Sequence, residues 1–202
     1  MLWEDAWVQT ADDFELHAWV DESMRTTGND EQMYLLGAVV ADPSCCDGAR
    51  DALRRALPKG APKLHWHVME PREKTRATTV VTSLDATHLV VVGSPLNHRK
   101  QERARAECME RLLWELGQLE VTQVFLEQRT PSLNDRDMKL VRHLRGKKSI
   151  PSTLRVDIAQ PSTEPMLWVP DQVLGALGDA EADEGRWFDQ YGGAVERITI
   201  SL

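Results

Sequence analysis

Four acidic residues occupy positions from which their carboxylates could be directed at one point. Asp21 and Glu22 end the apolar stretch HAWVDESM, Glu127 ends a second apolar stretch, and Asp171 lies within an apolar helical pattern. Carboxylate oxygens are the hard ligands that Mg²⁺ and Mn²⁺ prefer, and such ions bind substrate phosphates at the same time. If these acids converge, they could hold two ions that hydrolyse a phosphodiester bond by activating a water and stabilising the leaving oxygen.

Asp171 occupies the most informative of these positions. Leu167, Asp171 and Leu174 are spaced i, i+4 and i+7, so the acid shares a core-facing helical stripe. An inward carboxylate is costly unless it is paired, protonated or bound to a metal ion. Pro170 should also disturb the helix, because it removes one backbone hydrogen bond. The sequence therefore predicts more than a surface role for Asp171.

Two histidines, His65 and His67, would share one face of an extended segment because they are two residues apart. Beside the carboxylates His65 could transfer protons, since the imidazole changes charge near a pH of about 6.5. A plain hydrogen-bonding role beside Trp66 is an equal alternative. Together with a carboxylate, the two histidines could instead bind Zn²⁺ or Fe²⁺.

The composition is that of an ordinary globular protein, with 42% hydrophobic and 28% charged residues. A formal net charge of −8 argues against a protein that coats nucleic acid through bulk electrostatics. Three cysteines without metal-type spacing argue against a disulfide framework. The acidic beginning of the sequence does not resemble a secretory signal, and the apolar runs are too short to span a bilayer. These features predict a cytoplasmic protein without membrane association.

Positive charge is concentrated in one region of this acidic chain. Between His98 and Lys148 there are 12 Lys and Arg residues against 8 Asp and Glu residues. Four of the cations recur every third residue on a predicted helix, so that the first few lie on roughly one face: Arg136, Lys139, Arg142 and Arg145. We predict that these four contact the phosphates of a nucleic acid substrate, and a solvated helix surface is the alternative.

Hydrophobic patterns predict alternating strands and helices. A period-2 pattern over residues 14–20 predicts a half-buried strand, paired in a hairpin with an apolar strand over 32–41. Further strands are predicted over 87–93, 121–126, 154–158 and 195–202. Helices are predicted over 42–57, 71–84 and 101–119, and from residues 131 and 165 onward. A hairpin followed by alternating strands and helices predicts an α/β fold with a mixed sheet flanked by helices, in one domain over residues 1–202.

Five short motifs resemble, in their order and rough spacing, a bacterial family known as domain of unknown function 3800. The motifs are WVDESM, YLLGAVV, KLHWH, VFLEQR and LWVPDQVLGAL. The resemblance spans nearly the whole chain and implies a ribonuclease H-like fold. In this family Asp21 and Glu22 match the acidic motif of the first strand, His65 matches a histidine, and Glu127 and Asp171 match acids on a later strand and helix. The resemblance therefore selects the same acids as the residue patterns do.

These observations lead to one hypothesis about function. The protein would hydrolyse phosphodiester bonds of RNA or DNA with Mg²⁺ or Mn²⁺. Asp21, Glu127 and Asp171 would bind the metal, Glu22 would assist as a ligand or base, and His65 would aid proton transfer. If the alternation of the predicted first strand continues through the motif, however, the side chain of Glu22 should point away from that of Asp21.

Two other functions agree with the same sequence. Met24, Trp168 and Pro170 differ from the residues that the family usually has, so the chain could be a non-catalytic nucleic-acid-binding or regulatory module on the same fold. It could also hydrolyse a small phosphorylated molecule. Asp157, on the predicted strand over 154–158, is a reserve metal ligand.

Overall fold

A computed structural model describes residues 15–202, in which six strands form one mixed sheet. The strands are β1 (His17–Thr26), β2 (Gln32–Ala41), β3 (Thr87–Ser94), β4 (Gln123–Glu127), β5 (Arg155–Ala159) and β6 (Val195–Ser201). The α-helices of this part of the chain are α1 (Cys46–Ala56), α2 (Pro71–Thr82), α3 (Gln101–Gln118), α4 (Pro131–Gly146) and α5 (Trp168–Ala180). Phe14, where the sequence predicts the first strand to begin, lies outside the described residues.

The strand order β5-β4-β1-β2-β3-β6 combines antiparallel and parallel pairs. Strands β1, β2 and β3 pair antiparallel in sequence order, β4 and β5 run parallel to β1, and β6 runs parallel to β3. Parallel neighbours need crossover connections, and α3 and α4 provide them before β4 and β5. The predicted α/β class, with a mixed sheet flanked by helices, is confirmed.

Helices cover both faces of the sheet. Helices α1, α2 and α5 enclose one core with Trp19 and Leu35, and α3 and α4 enclose the other with Val20 and Leu36. The prediction of a half-buried first strand is wrong, because Ala18, Trp19 and Val20 are all buried. As a central strand, β1 has packed helices above and below it, so its period-2 pattern does not separate core from solvent. Within residues 15–202, no helix combines the length and the apolar character needed to cross a membrane.

The acids of β1 lie in the middle of the strand, whereas the sequence predicted that they end it. β1 continues to Thr26 because β2 pairs with it along its whole length. On its other side, the last residue pair with β4 is Val20 and Leu126. Asp21 and Glu22 therefore lie where β1 extends beyond its pairing with β4, and their side chains point to opposite faces of the sheet.

Helix α5 is buried all round, from Trp168 to Gly178, and does not bury a single stripe. It lies close to the sheet because Gly37 of β2 has no side chain: a Cβ there would lie 2.8 Å from Cδ2 of Leu174. The prediction that Pro170 disturbs the helix is wrong. Pro170 lies in the first turn, where the missing backbone N–H needs no intrahelical partner.

Candidate active site

Asp21, Glu127 and Asp171 face one space between the sheet and α5, which we call the acidic centre. Asp21 lies two residues after Trp19, and Glu127 lies two residues after Phe125. Trp19 and Phe125 pack in the core on the α5 side of the sheet, so strand alternation directs both acids to that side. Asp171 lies in the first turn of α5. The three charges act on one another: burial, and then the charges of Glu127 and Asp171, raise the pKa of Asp21 well above its usual range. Three elements distant in sequence thus bring three carboxylates together.

Two carboxylates of the acidic centre, those of Asp21 and Glu127, are costly to ionise. Burial also raises the pKa of Glu127, although a neighbouring ammonium group opposes the shift. Groups whose pKa is raised by burial and by like charges are enriched in functional sites, because catalysis and ligand binding often require shifted pKa values. One carboxylate oxygen, Oε2 of Glu127, is buried and has no hydrogen-bond partner among the described residues. The centre therefore retains a free ligand oxygen.

Lys63 is the basic residue of the acidic centre, and the sequence patterns did not identify it. Its Nζ donates a hydrogen bond to Oε1 of Glu127 over 2.6 Å, and the side chain is 26% exposed. Burial alone would lower the pKa of Lys63, but the hydrogen bond to Glu127 and the charges of Asp21 and Asp171 outweigh it and raise the pKa. Lys63 belongs to an irregular segment, so no helical or strand period linked it to the acids.

The segment that carries Lys63 is held against α5 by Trp66. A Cβ on Gly175 would lie 2.0 Å from Cγ of Trp66, so only glycine at this position allows the indole to pack there. The backbone N–H of Trp66 donates to Oδ2 of Asp171 over 2.7 Å, and its indole Nε1 donates to Asp179 over 2.9 Å. These contacts fix Asp171 and the neighbouring segment relative to each other.

His65 reaches the acidic centre from the same segment. Its Nδ1 lies 3.4 Å from Oδ2 of Asp171, and this contact raises the pKa of the imidazole against the opposing effect of burial. The side chain is 46% exposed, so it lies between solvent and the carboxylates. His67 does not share its face, because Trp66–Val68 is a short 3₁₀ helix and not an extended segment.

Glu22 lies on the opposite face of β1, among α3, α4 and the residues after β4. Its carboxylate is hydrogen-bonded to Nη1 of Arg105, and its Oε1 lies 3.1 Å from Nε of Arg129. Arg105 also donates to both oxygens of Asp137, over 2.8–3.1 Å, and Arg129 pairs with Glu102. We call these five residues the arginine network. The structure brings Asp21, Glu127, Asp171 and His65 together. It directs the Glu22 side chain to the opposite face of β1, from which its charge still contributes to the raised pKa values of Asp21 and Glu127.

The donor types of the acidic centre fit Mg²⁺ or Mn²⁺, because all three acids offer carboxylate oxygens and one of these oxygens is unpartnered. Their spacing is wider than that of a closed ligand set. Within residues 15–202, no three His, Cys, Asp or Glu side chains are close enough to hold a metal ion as they stand. The reserve ligand Asp157 is engaged elsewhere, since its Oδ2 accepts a hydrogen bond from Gln123 over 2.9 Å.

The four cations predicted to contact phosphates have different surroundings. Lys139 forms an ion pair with Asp135 over 2.6 Å, Arg145 donates to the backbone oxygen of Leu154, and Arg142 is exposed. Arg136 is exposed and lines a groove beside the first turn of α3. We call it the basic groove, and its other basic side chains are His98, Arg99, Lys100 and Arg103.

The sequence prediction used the spacing of cations within α4. It therefore did not include the basic side chains of the groove that lie before and within α3. Glu102 also lines the groove and is paired with Arg129, two residues after Glu127. The groove therefore lies at the same end of the sheet as the acidic centre, beside the arginine network.

Solved structures of ribonucleases share this arrangement of strands and helices. Ribonuclease H2 from Pyrococcus horikoshii OT3 is similar over 89% of this chain and 80% of its own, with a TM-score of 0.58 and 13% identity. The chain has a ribonuclease H-like fold. No family model matches it, and no curated protein matches it. The fold implied by the resemblance to the domain of unknown function 3800 family is thus confirmed, and membership of that family stays a prediction.

Two other structures support the same fold. Ribonuclease HII in the PCNA complex from Archaeoglobus fulgidus covers 89% of this chain and 81% of its own, with a TM-score of 0.50 and 15% identity. Bst-RNase HIII in complex with Mn²⁺ has a TM-score of 0.51 and 12% identity over 85% of this chain, which spans 54% of that protein. At these identities the likeness establishes the fold, and the chemistry must be argued from this chain's residues.

Proposed function

We propose that the protein is a metal-dependent nuclease that hydrolyses phosphodiester bonds of RNA or DNA at the acidic centre. The observation that carries this proposal is the convergence of Asp21, Glu127 and Asp171 where β1 extends beyond β4. Burial disfavours the ionised carboxylates of Asp21 and Glu127, and a divalent ion would neutralise them. The ribonuclease H-like fold supports the proposal, and Mn²⁺ is bound by one of the structural neighbours.

In this proposal Asp21, Glu127 and Asp171 hold Mg²⁺ or Mn²⁺. When bound, a pair of these ions supplies an activated water and stabilisation of the leaving oxygen. The Trp66 N–H keeps the Asp171 carboxylate oriented towards the centre. His65 contacts Asp171 through Nδ1, which leaves Nε2 to exchange a proton with substrate or solvent.

We assign Glu22 a positioning role in place of the role of metal ligand or base. Its contacts with Arg105 and Arg129 hold β1 against α3 and the segment after β4. This fixes the strand on which Asp21 lies. The Glu22 carboxylate itself does not face the substrate in this proposal.

The basic groove would contact the phosphates of the nucleic acid on the side of the sheet opposite α5. Arg99, Lys100 and Arg136 form no ion pair with acids of residues 15–202, so their charges remain available to a polyanion. A local cluster of this kind allows an acidic protein to bind nucleic acid, because screening limits the repulsion from distant carboxylates.

A cleavage assay tests the proposal. Labelled RNA, DNA and RNA–DNA hybrid are incubated with the protein in Mg²⁺, Mn²⁺ or EDTA. We expect cleavage that depends on the metal, and a loss of at least about 10³-fold in kcat/KM for Asp171→Asn, since metal-bound charge stabilisation contributes several kcal/mol. Asp51→Asn, at an exposed position of α1, is the matched control and should retain full activity. Cleavage that survives both EDTA and Asp171→Asn would contradict the proposal.

A second candidate function is a non-catalytic nucleic-acid-binding module. The Lys63–Glu127 contact favours it, because this ion pair neutralises part of the centre without any metal. This candidate predicts that nucleic acid binds with the same Kd in EDTA and in Mn²⁺ and is never cleaved. The nuclease predicts cleavage only when the metal is present.

A further inference from the structure

Lys63 is the feature of the acidic centre that a metal site alone does not explain. We infer that Lys63 is the resident cation of the metal-free centre, and that its ammonium group competes with a divalent ion for the carboxylate of Glu127. This inference rests on the proposed metal-dependent function. It adds that the protein carries its own competitor for the metal, which sets the affinity of the site.

The contacts of Lys63 support this role. Its Nζ lies 2.6 Å from Glu127 and feels the charges of all three acids of the centre. Among the ion pairs of residues 15–202, no other lysine or arginine contacts Asp21, Glu127 or Asp171. The ammonium group therefore neutralises part of the negative charge that would attract a metal ion to Glu127.

The geometry allows this cation to leave. Lys63 contacts Glu127 through one hydrogen bond to one oxygen, and the other oxygen, Oε2, remains without a partner. A lysine carries a compact charge on a flexible stem, and 26% of this side chain is exposed. The ammonium group can move into solvent while its backbone stays in place. Arg105, in contrast, contacts both oxygens of Asp137 and is almost fully buried.

The consequence is a change in metal affinity with a defined sign. Two cations near one carboxylate repel each other, so removal of the lysine charge should strengthen binding of a divalent ion. We expect the Kd for Mn²⁺ to fall at least about tenfold in Lys63→Met. Lys63→Arg keeps the charge and should remain within about threefold of the wild type.

Calorimetric titration with Mn²⁺ alone, without nucleic acid, tests the inference on the full chain. The control is Lys147→Met, which removes a lysine that also lies 2.6 Å from a carboxylate but belongs to a surface pair with Glu110. Its Kd should equal that of the wild type. If Lys63→Met does not fold, as judged by circular dichroism, Lys63→Gln replaces it, since this variant is also neutral and keeps a polar end.

The possible outcomes separate the inference from the proposed function. Tighter binding in the neutral variants and unchanged binding in Lys63→Arg support the inference. Equal affinity in all the variants, with binding abolished by Asp171→Asn, would overturn the role of Lys63 and leave the metal site intact. Weaker binding in the neutral variants would show that the lysine assists the metal, and would also overturn it. Absence of Mn²⁺ binding in every protein would overturn both proposals.

Discussion

Two adjacent residues of β1 lie in opposite electrostatic environments. On one face, Asp21 shares the acidic centre with two further carboxylates and a single lysine. On the other face, Glu22 belongs to the arginine network. Arg105 contacts Glu22 and Asp137, and Arg129 contacts Glu22 and Glu102. The same strand thus carries one carboxylate that is short of positive charge and another that is fully paired.

This difference separates what stabilises the protein from what it is proposed to do. The arginine network joins β1 to α3 and α4 with multiple hydrogen bonds to charged groups, which are about twice as strong as neutral ones. The acidic centre makes few such bonds, and burial disfavours its ionised form. Proteins retain destabilising charge clusters where function requires them. We therefore expect mutations in the two regions to have opposite effects on stability.

The largest effect is expected from Arg105→Met. The side chain is 3% exposed, and its removal leaves Asp137, which is 5% exposed, without its main partner. Breaking a buried ion pair in this way costs about 3–5 kcal/mol. Urea denaturation at pH 7 measures the loss in the free energy of unfolding. Arg103→Met, two residues earlier on the exposed side of α3, is the control and should unfold at the wild-type midpoint.

The sharpest test of the comparison is a pair of isosteric substitutions at neighbouring positions. In the absence of metal, Asp21→Asn should raise the free energy of unfolding, because it removes a buried acid whose ionised form burial and the neighbouring carboxylates disfavour. Glu22→Gln should lower it by about 1–2 kcal/mol, because it weakens hydrogen bonds to two arginines. Changes of the same sign in urea denaturation would remove the distinction between the two faces.

A smaller effect is expected in the dependence of stability on pH. The folded protein holds the Asp21 proton more tightly than the unfolded chain does, since the pKa is raised in the fold. The contribution of Asp21 to the free energy of unfolding should therefore be complete below the unfolded pKa of about 4. It should decrease as the pH rises from there to the raised pKa, and should be absent at higher pH. The difference between the wild type and Asp21→Asn, measured by urea denaturation from pH 4 to 8, isolates this contribution. A difference that does not vary with pH would contradict it.

The smallest effect concerns the basic groove beside the arginine network. Arg136→Gln should weaken nucleic acid binding about 3- to 10-fold and lower the slope of log K against log salt by about 1. The free energy of unfolding should not change, because the substitution leaves the acidic centre and the arginine network intact. Lys139→Gln is the control on the same helix, because its charge is already paired with Asp135. Equal losses of binding in both variants, measured by fluorescence anisotropy, would indicate that the nucleic acid contacts the whole exposed face of α4 and not the basic groove alone.

The sequence predicted much of this arrangement because periodicity reports which faces are buried. Alternation placed the side chain of Glu22 away from that of Asp21, and the apolar pattern around Asp171 placed that acid in the interior. The pattern could not show that β1 continues past its acids, since pairing with β2 determines where the strand ends. It also missed that α5 is buried all round and that Pro170 lies in its first turn.

Lys63 and the basic groove could not be predicted for a different reason. Both depend on contacts between elements far apart in sequence. Lys63 reaches Glu127 from a segment that Trp66 packs against Gly175, and Arg136 and Lys100 line one groove because α3 and α4 are neighbours. Spacing along one element carries no information about such contacts. A buried acid in a sequence therefore predicts that a partner exists, without identifying it.

The most direct measurement is the position of Mn²⁺ in a crystal of the full chain, located by its anomalous scattering. We predict an anomalous peak in contact with Asp21, Glu127 and Asp171, with the ammonium group of Lys63 withdrawn from Glu127. A crystal equilibrated with Mn²⁺ that shows no peak at these carboxylates, and retains the Lys63–Glu127 contact, would contradict the account.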